Sequence, residues 1–224
     1  MATTADANEV RAEWRVSNTA ELSPILSNAL AAFEEHGYHG TSVRDIARRV
    51  GVTVPALYYH YENKQAMLVD LLTRSMESLL RRARAAVAEA GTEPAACLSA
   101  LVECIVLYMA YRGSKGLLDS EIRSLEPDNR VAYIALRDQL DEQMQTIVLD
   151  GVGKEVFHTD YPEEAARALL TMCHAVAKWY RLDGELSPEE LARRYVVFGL
   201  GMVGHTPAKR RSRPRSTRPG GVRG

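Results

Sequence analysis

The stretch TSVRDIARRVGVTVPALYYHYENK, residues 41–64, predicts two short helices separated by a tight turn. Ser42, or the threonine before it, is a suitable N-cap for the first helix, and Gly51 can adopt the left-handed conformation that ends it. Thr53 caps the second helix, with Pro55 in the first turn, where a missing N–H costs nothing. Two short helices joined by a four-residue turn with glycine at its second position form the helix-turn-helix pattern.

The second of these helices has two different faces. At 100° per residue, Leu57 and Tyr61 point to one side, while Tyr58 and Tyr59 point to the other. In a helix-turn-helix the second helix enters the major groove of DNA, so outward tyrosines suit a nucleic-acid surface. The alternative is a three-helix subdomain whose tyrosines pack against a neighbour. Spacing alone leaves both interpretations open.

The rest of the chain between Thr19 and Gly204 is also patterned as helix. Apolar residues recur at helical spacing, and we find no strand-like alternation and no internal repeat. The pattern predicts an all-α protein with about nine helices. Besides the two short helices of residues 41–64, they cover approximately residues 20–36, 64–90, 95–111, 117–125, 127–150, 163–182 and 187–203.

Composition narrows the class of protein. The 224 residues are 46% hydrophobic and 25% charged, as in ordinary globular proteins. The longest apolar runs fall short of the roughly 20 residues that cross a bilayer, and the N-terminus lacks the apolar core of a secretory signal. Three cysteines without metal-ligand spacing indicate a reducing compartment. We therefore expect a cytoplasmic protein that has no membrane partner and binds no metal.

Charge is divided unevenly along the chain. The segment from Thr206 onward has seven basic residues and no acidic residue, whereas the preceding part has 21 basic and 29 acidic residues, a net charge of −8. A basic segment rich in Pro, Gly and Ser predicts a disordered tail at residues 205–224. Such a tail can add salt-sensitive affinity for DNA, a hypothesis that deletion of residues 206–224 tests through the salt dependence of binding.

Enzyme and cofactor motifs are weak. GLGMVG at residues 199–204 has the spacing of a dinucleotide-binding loop, but it ends a predicted helix and does not follow a strand. No serine or cysteine lies in a nucleophile motif. We therefore expect neither catalysis nor a cofactor.

A longer segment, from ILSNALAAFEEHGYHG through the stretch quoted above to Met67, resembles the DNA-binding part of the TetR family of bacterial transcriptional regulators. The resemblance covers about 45 residues in order. It is carried by Phe33 to Gly37, the Thr41 to Ala47 helix, the Gly51-Val52 turn, the Leu57 to Tyr61 run, and Lys64 with Met67. Tyr61 stands where phenylalanine is usual and Val50 where alanine is usual, which affects packing detail only.

The resemblance implies roles for individual residues. It places Arg44, Val54, Pro55, Ala56 and Tyr59 against base edges, and it assigns phosphate positioning to Ser42, Thr53, Tyr58, His60 and Lys64. The expected partner is a double-stranded DNA operator. Because Val54 has no hydrogen bond to offer, specificity should depend on Arg44, Tyr59 and DNA shape.

The same resemblance implies that the later helices bind a ligand and form a homodimer. Large adaptable side chains on two of these helices are candidates for a ligand site: Tyr108, Met109, Tyr111, Arg112, Met172, Cys173 and His174. Trp179, Tyr195 and Phe198 are candidates for the dimer interface. Plain core packing is the alternative for each of them. Residues 178–204 are similar to members that respond to acyl-CoA or other lipid-like effectors.

Together these features predict four segments: a flexible arm at residues 1–18, a helix-turn-helix domain at 19–66, a ligand-binding and dimerisation domain at 67–204, and the tail. The expected function is a dimeric repressor that binds a palindromic operator and is released by a small, hydrophobic or acyl-CoA-like effector. The alternative is a helical small-molecule-binding or interaction protein without operator binding.

Overall fold

A computed structural model describes residues 14–15, 22–112 and 121–206. These residues form eight α-helices and no strand, which confirms the all-α prediction. The helices are α1 Pro24–Gly40, α2 Val43–Val50, α3 Val54–His60, α4 Lys64–Ala90, α5 Pro94–Arg112, α6 Pro127–Gly153, α7 Pro162–Trp179 and α8 Pro188–Met202. The ninth predicted helix, around residues 117–125, is a single 3₁₀ turn at 121–124 in the part that the structure describes.

The N-terminal unit consists of α1, α2 and α3. Ser23 caps α1, since its hydroxyl accepts a hydrogen bond from the Leu26 N–H at 3.3 Å. The helix therefore begins at Pro24 and not near residue 20 as the apolar pattern suggested. Gly37 interrupts α1 with φ 70°, a left-handed value that glycine adopts without strain. The chain then makes one more helical turn, and α1 packs against both α2 and α4.

The larger unit is built around α5. Thirteen of its nineteen residues are buried, and it packs against α4, α6, α7 and α8. By length and composition alone α5 could cross a membrane, but 67% of its apolar stretch is buried inside the protein. It is therefore the central helix of a helical bundle.

The loop that follows α6 packs against α6 itself and against the C-terminal end of α8. Gly151 in α6 lies against the ring of Phe157, which is 1% exposed. The His158 N–H donates to the Val203 carbonyl at 2.8 Å, so the loop after α6 is fixed to the end of α8. Glycine at position 151 is what lets the Phe157 ring lie this close to α6, because a β-carbon there would come within 2.0 Å of a ring atom.

Two residues of the predicted N-terminal arm are described, and both contact the bundle. Trp14 is buried, and its indole N–H donates to Glu89 at 2.8 Å. Arg15 stacks over the Trp14 ring and forms ion pairs with Glu89 and Glu103. The remainder of the arm, residues 1–13 and 16–18, and the basic tail from residue 207 lie outside the described residues, so the predictions made for them stay predictions.

Candidate nucleic-acid interface and effector region

Helix α2 is locally fixed at both ends. Ser42 and Asp45 form a reciprocal capping box at the start of α2, with each side chain accepting from the other residue's backbone N–H at 3.2 Å. Gly51 ends α2 in the left-handed region, at φ 80° and ψ 27°, and its N–H donates to the Ala47 carbonyl at 3.0 Å. The Gly51 cap sets the direction in which the chain leaves α2 toward α3.

Helix α3 presents its tyrosines to solvent, as the angular argument predicted. The Thr53 hydroxyl caps it by accepting from the Ala56 N–H at 3.3 Å. Leu57 on the inner side is 0% exposed, whereas Tyr58 is 49% and Tyr59 86% exposed. The Tyr59 ring meets the exposed His60 ring edge-on, with centroids 5.3 Å apart. An aromatic surface is thus held outward by a helix whose other side is buried.

Tyr61 connects α3 to α4 through a polar contact that apolar patterning missed. Its hydroxyl donates to the Asp70 carboxylate at 2.7 Å, and Asp70 also pairs with Arg74 at 2.6 Å. Burial, and then the hydrogen bond to the carboxylate, raise the pKa of Tyr61 to about 12. The hydroxyl explains why tyrosine is useful at this position, since a phenylalanine there has no group to bond Asp70.

Most of the predicted DNA-contacting residues are accessible. Arg44, Pro55 and Ala56 are exposed along with the tyrosines and His60, while Val54 is half-buried. Ser42 and Thr53 are exposed but are already used as helix caps. A further accessible cation is Arg48, whose side chain is 77% exposed and lies one turn after Arg44 on α2. The i, i+4 spacing of Arg44 and Arg48 in the sequence could have indicated this second cation, because residues four apart lie on the same face of a helix.

Lys64 differs from the others. Its ammonium donates to the backbone carbonyls of Tyr38 at 2.5 Å and Thr41 at 2.7 Å, and it lies 4.1 Å from the centre of the Tyr38 ring. Burial lowers the pKa of Lys64. The side chain therefore points into the protein, toward the corner between α1 and α2.

The seven predicted ligand residues do not converge on one site. The hydroxyl of Tyr108 donates to the Ser75 carbonyl at 2.6 Å, and the guanidinium of Arg112 bonds both that hydroxyl and the Ser75 side chain. Tyr111 instead faces α8, where its hydroxyl donates to Glu189 at 2.5 Å, and this bond with the carboxylate is the main reason that its pKa rises to about 12.

The other four are distributed through the bundle. Met109 and Cys173 are buried in the core, and burial raises the pKa of the Cys173 thiol to about 12. His174 is partly buried. Met172 lines an open depression of about 460 Å³ on the outside of α7, together with Glu164, Arg167, Ala168 and Thr171. Only Tyr108 and Arg112 form a joint polar site.

The three predicted dimer residues do lie close together. Trp179 is 53% and Phe198 is 56% exposed, and the half-buried Tyr195 lies between them in contact with both. Val197 and Met202 are further exposed apolar side chains on α8. Within the described ranges no group of three or more His, Cys, Asp or Glu side chains is arranged to hold a metal ion.

A helix-turn-helix with an outward aromatic face, attached to a larger helical bundle, defines a DNA-binding transcriptional regulator. The family model described as "Bacterial regulatory proteins, tetR family" matches residues 25–71, and the model "Tetracyclin repressor-like, C-terminal domain" matches residues 91–203. The chain belongs to the TetR family.

Known proteins with related sequences are transcriptional regulators. The HTH-type transcriptional repressor KstR2 of Rhodococcus jostii is 28% identical over 179 residues, which cover 79% of this chain and 87% of KstR2. The crystal structure of the regulator PfmR from Thermus thermophilus superposes with a TM-score of 0.73 at 30% identity, covering 83% of this chain and all of PfmR. AibR, solved with isovaleryl coenzyme A and operator DNA, shares the fold with a TM-score of 0.72 at 23% identity, over 78% of this chain and 95% of AibR.

Proposed function

We propose that this chain is a homodimeric repressor that binds a palindromic operator and is released from it by a small effector. The observation that carries the proposal is the two-sided character of α3, where Leu57 is fully buried while Tyr59 is 86% exposed. A helix that is anchored on one face and aromatic on the other suits insertion into a major groove. The KstR2 relative is named as a repressor, which supports repression as the direction of control.

The dimer is supported by the apolar surface around Trp179 and Phe198. Large exposed apolar patches mark interaction sites, and an isologous contact between two copies of α7 and α8 makes a four-helix interface. Two recognition helices about one DNA turn apart require two protomers. A palindromic operator follows from the same two-fold symmetry.

The effector is proposed to bind between α4 and α5, next to Tyr108 and Arg112. Arg112 is half-buried, and among the residues described its guanidinium bonds only neutral oxygens, those of Ser75 and Tyr108. It can therefore also donate hydrogen bonds to the carboxylate or phosphate of an effector. The preceding residues of α5 are mostly apolar and buried. An acyl-CoA or similar lipid-like acid combines both properties.

Binding there has to favour one arrangement of the DNA-binding unit over another, since only a difference in affinity between two states can shift their populations.

We propose no catalytic reaction and no cofactor for this bundle, and we place the protein in the cytoplasm with the DNA it regulates. The rival function is a helical binder whose helix-turn-helix has no operator.

Selection of bound duplexes from a random DNA pool tests the proposal directly. The expected result is an enriched palindrome whose half-sites are separated by about one helical turn, roughly 10 base pairs. Adding saturated acyl-CoA thioesters of graded chain length to the selected complex then tests release. Failure to enrich any sequence would favour the rival function.

A further inference from the structure

Trp14 and Arg15 are seated in a notch between α4 and α5 that is formed by Arg82, Glu89 and Glu103. The Trp14 side chain is almost fully buried, its indole N–H donates to Glu89 at 2.8 Å, and its carbonyl accepts from Arg82 at 3.4 Å. The guanidinium of Arg15 lies 3.9 Å from the centre of the Trp14 ring and pairs with Glu89 at 3.1 Å and Glu103 at 3.0 Å. Two carboxylates and one guanidinium of the bundle therefore hold the ring, the charge and the backbone of this pair.

This seating is more than a surface contact. A buried indole removes a large apolar area from water, and its N–H is satisfied by a carboxylate, as a buried tryptophan requires. The pair also lies before residues 25–71, the segment that the family model matches. Membership of the family therefore assigns no role to Trp14 or Arg15.

The arm that contains this pair leads directly into the DNA-binding unit. Helix α1 begins after its cap Ser23, and Ser23 also hydrogen-bonds Tyr61. The Tyr61 hydroxyl in turn donates to Asp70 of α4 at 2.7 Å. The start of α1 thus lies beside α4 at the level of Asp70.

The chain between these two fixed points has limited slack. The residues that hold the arm lie further along α4 than Asp70, by about 18 Å of helix axis for Arg82 and about 28 Å for Glu89. The chain from Arg15 to Ser23 spans about 28 Å when it is fully extended. The connection is therefore short enough to restrain the start of α1.

We propose that the N-terminal arm is a strap, fastened to the bundle by Trp14 and Arg15, that limits the orientations of the DNA-binding unit. The proposal rests on operator binding by that unit. A unit with fewer orientations loses less conformational freedom when it docks on an operator, so the strap raises operator affinity. Non-specific attraction to phosphates depends much less on orientation, so affinity for other DNA should not need the strap.

The first measurement tests whether Trp14 is docked in solution. The chain contains two tryptophans, so Trp179→Phe leaves Trp14 as the only one. We expect blue-shifted emission and much weaker acrylamide quenching than in the same protein unfolded in urea. Adding Glu89→Ala should increase the quenching, whereas Glu77→Ala, which removes an exposed carboxylate from the same helix, should not. A Trp14 ring as accessible in the native protein as in urea would overturn the proposal.

The second measurement separates a strap from a tryptophan that only fills the notch. An insertion of about ten Gly and Ser residues after Asn18 gives the connection slack and leaves Trp14 and its notch unchanged. The same insertion after Asn8 lies upstream of Trp14 and is the matched control. Trp14 quenching should be equally weak in both insertion proteins.

Fluorescence anisotropy then compares the full-length proteins on the selected operator and on a scrambled duplex, well below the melting temperature of each variant. We expect Trp14→Ala and the Asn18 insertion each to lower operator affinity about three- to tenfold, because preorganisation is lost. Affinity for the scrambled duplex should stay at the wild-type value, and the Asn8 insertion should bind both duplexes as the wild type does.

Wild-type operator affinity in the Asn18 insertion would show that Trp14 only fills the notch, and it would overturn the proposal. Equal losses on the operator and on the scrambled duplex would do the same. A wild-type protein that binds no selected duplex would refute the proposed function itself, whereas the Trp14 quenching would still report whether the arm is docked.

Discussion

At the scale of single residues, Tyr59 is the most exposed aromatic side chain of the recognition helix, at 86%. We expect Tyr59→Ala to lower operator affinity by about 1–3 kcal/mol, the value of one good base contact. The free energy of unfolding should change by less than about 0.5 kcal/mol, because the ring contacts little of its own protein. Anisotropy titration and urea unfolding measure the two quantities.

Tyr59→Phe is the matched control for that substitution. It keeps the ring and removes the hydroxyl, so an affinity close to wild type would assign the contact to stacking or apolar packing. Wild-type operator affinity in Tyr59→Ala would remove this residue from the interface.

Gly151 provides a residue-scale test of packing. A β-carbon there would come within 2.0 Å of the Phe157 ring, which is 1% exposed and has little room to move. We expect Gly151→Ala to destabilise the fold by about 1–3 kcal/mol, as overpacking of a core does. Urea unfolding at one fixed protein concentration measures the loss, since dimer stability depends on concentration.

Gly153 lies on the same helix with open space around its α-carbon and is the control. Gly153→Ala should be neutral or stabilising by up to about 1 kcal/mol, because alanine favours helix. Equal stability of the two variants would mean that the Phe157 ring can move aside.

Side chains whose environment follows from their own helix were the ones that the sequence predicted best. The outward tyrosines and the inward Leu57 follow from 100° per residue alone. The inward direction of Lys64 does not, because its carbonyl partners lie 23 and 26 residues away, at a corner created by Gly37. The separation of Tyr108 from Tyr111 also depends on which helices α5 contacts.

At the scale of elements, Gly51 sets the angle between α2 and α3. It has φ 80°, and no atom lies within 4 Å of the place that a β-carbon would take, so a substitution there introduces backbone strain without a clash. We expect Gly51→Ala to cost about 1–2 kcal/mol of stability. Gly51→Asn should cost less, because asparagine visits this region more readily. Urea unfolding of the pair measures the difference, and identical losses would show that the left-handed conformation is not the cause.

Helix ends were predictable where a cap or a proline marks them. Three helix starts match the expected positions closely: α3 at Val54, α6 at Pro127 and α8 at Pro188. Each of these helices follows a capping residue or begins with proline. The start of α1 was placed too early, because the apolar spacing continues before Ser23 although the Ser23 cap fixes the helix start. Tyr180 leaves α7 for an extended conformation, and its hydroxyl donates to the Leu186 carbonyl, a contact that periodicity does not contain.

At the scale of the whole molecule, operator recognition requires two copies of α3 held at a fixed separation. One protomer has its helix-turn-helix at one end of α4 and the apolar surface of α7 and α8 on the bundle, so the proposed dimer contact sets the spacing of the recognition helices. Assembly and DNA binding should therefore fail together. Sequence patterning identified this surface only in part, because an apolar stripe on a terminal helix has the same spacing whether it is covered by its own protein or by a second copy.

Phe198→Glu tests that link. A carboxylate at the centre of the apolar surface would be buried without a partner on association, which costs about 3–5 kcal/mol. We expect sedimentation velocity to show a shift from dimer to monomer, and anisotropy to show a matching loss of operator affinity. Val131→Glu is the control, because Val131 is similarly apolar and 69% exposed but lies on α6, whereas the residues of the proposed interface lie on α7 and α8 or directly follow α7. A Phe198→Glu protein that stays dimeric and binds the operator normally would place the dimer interface elsewhere. A monomeric Phe198→Glu protein that still binds the full operator at wild-type affinity would contradict the requirement for two coupled recognition helices.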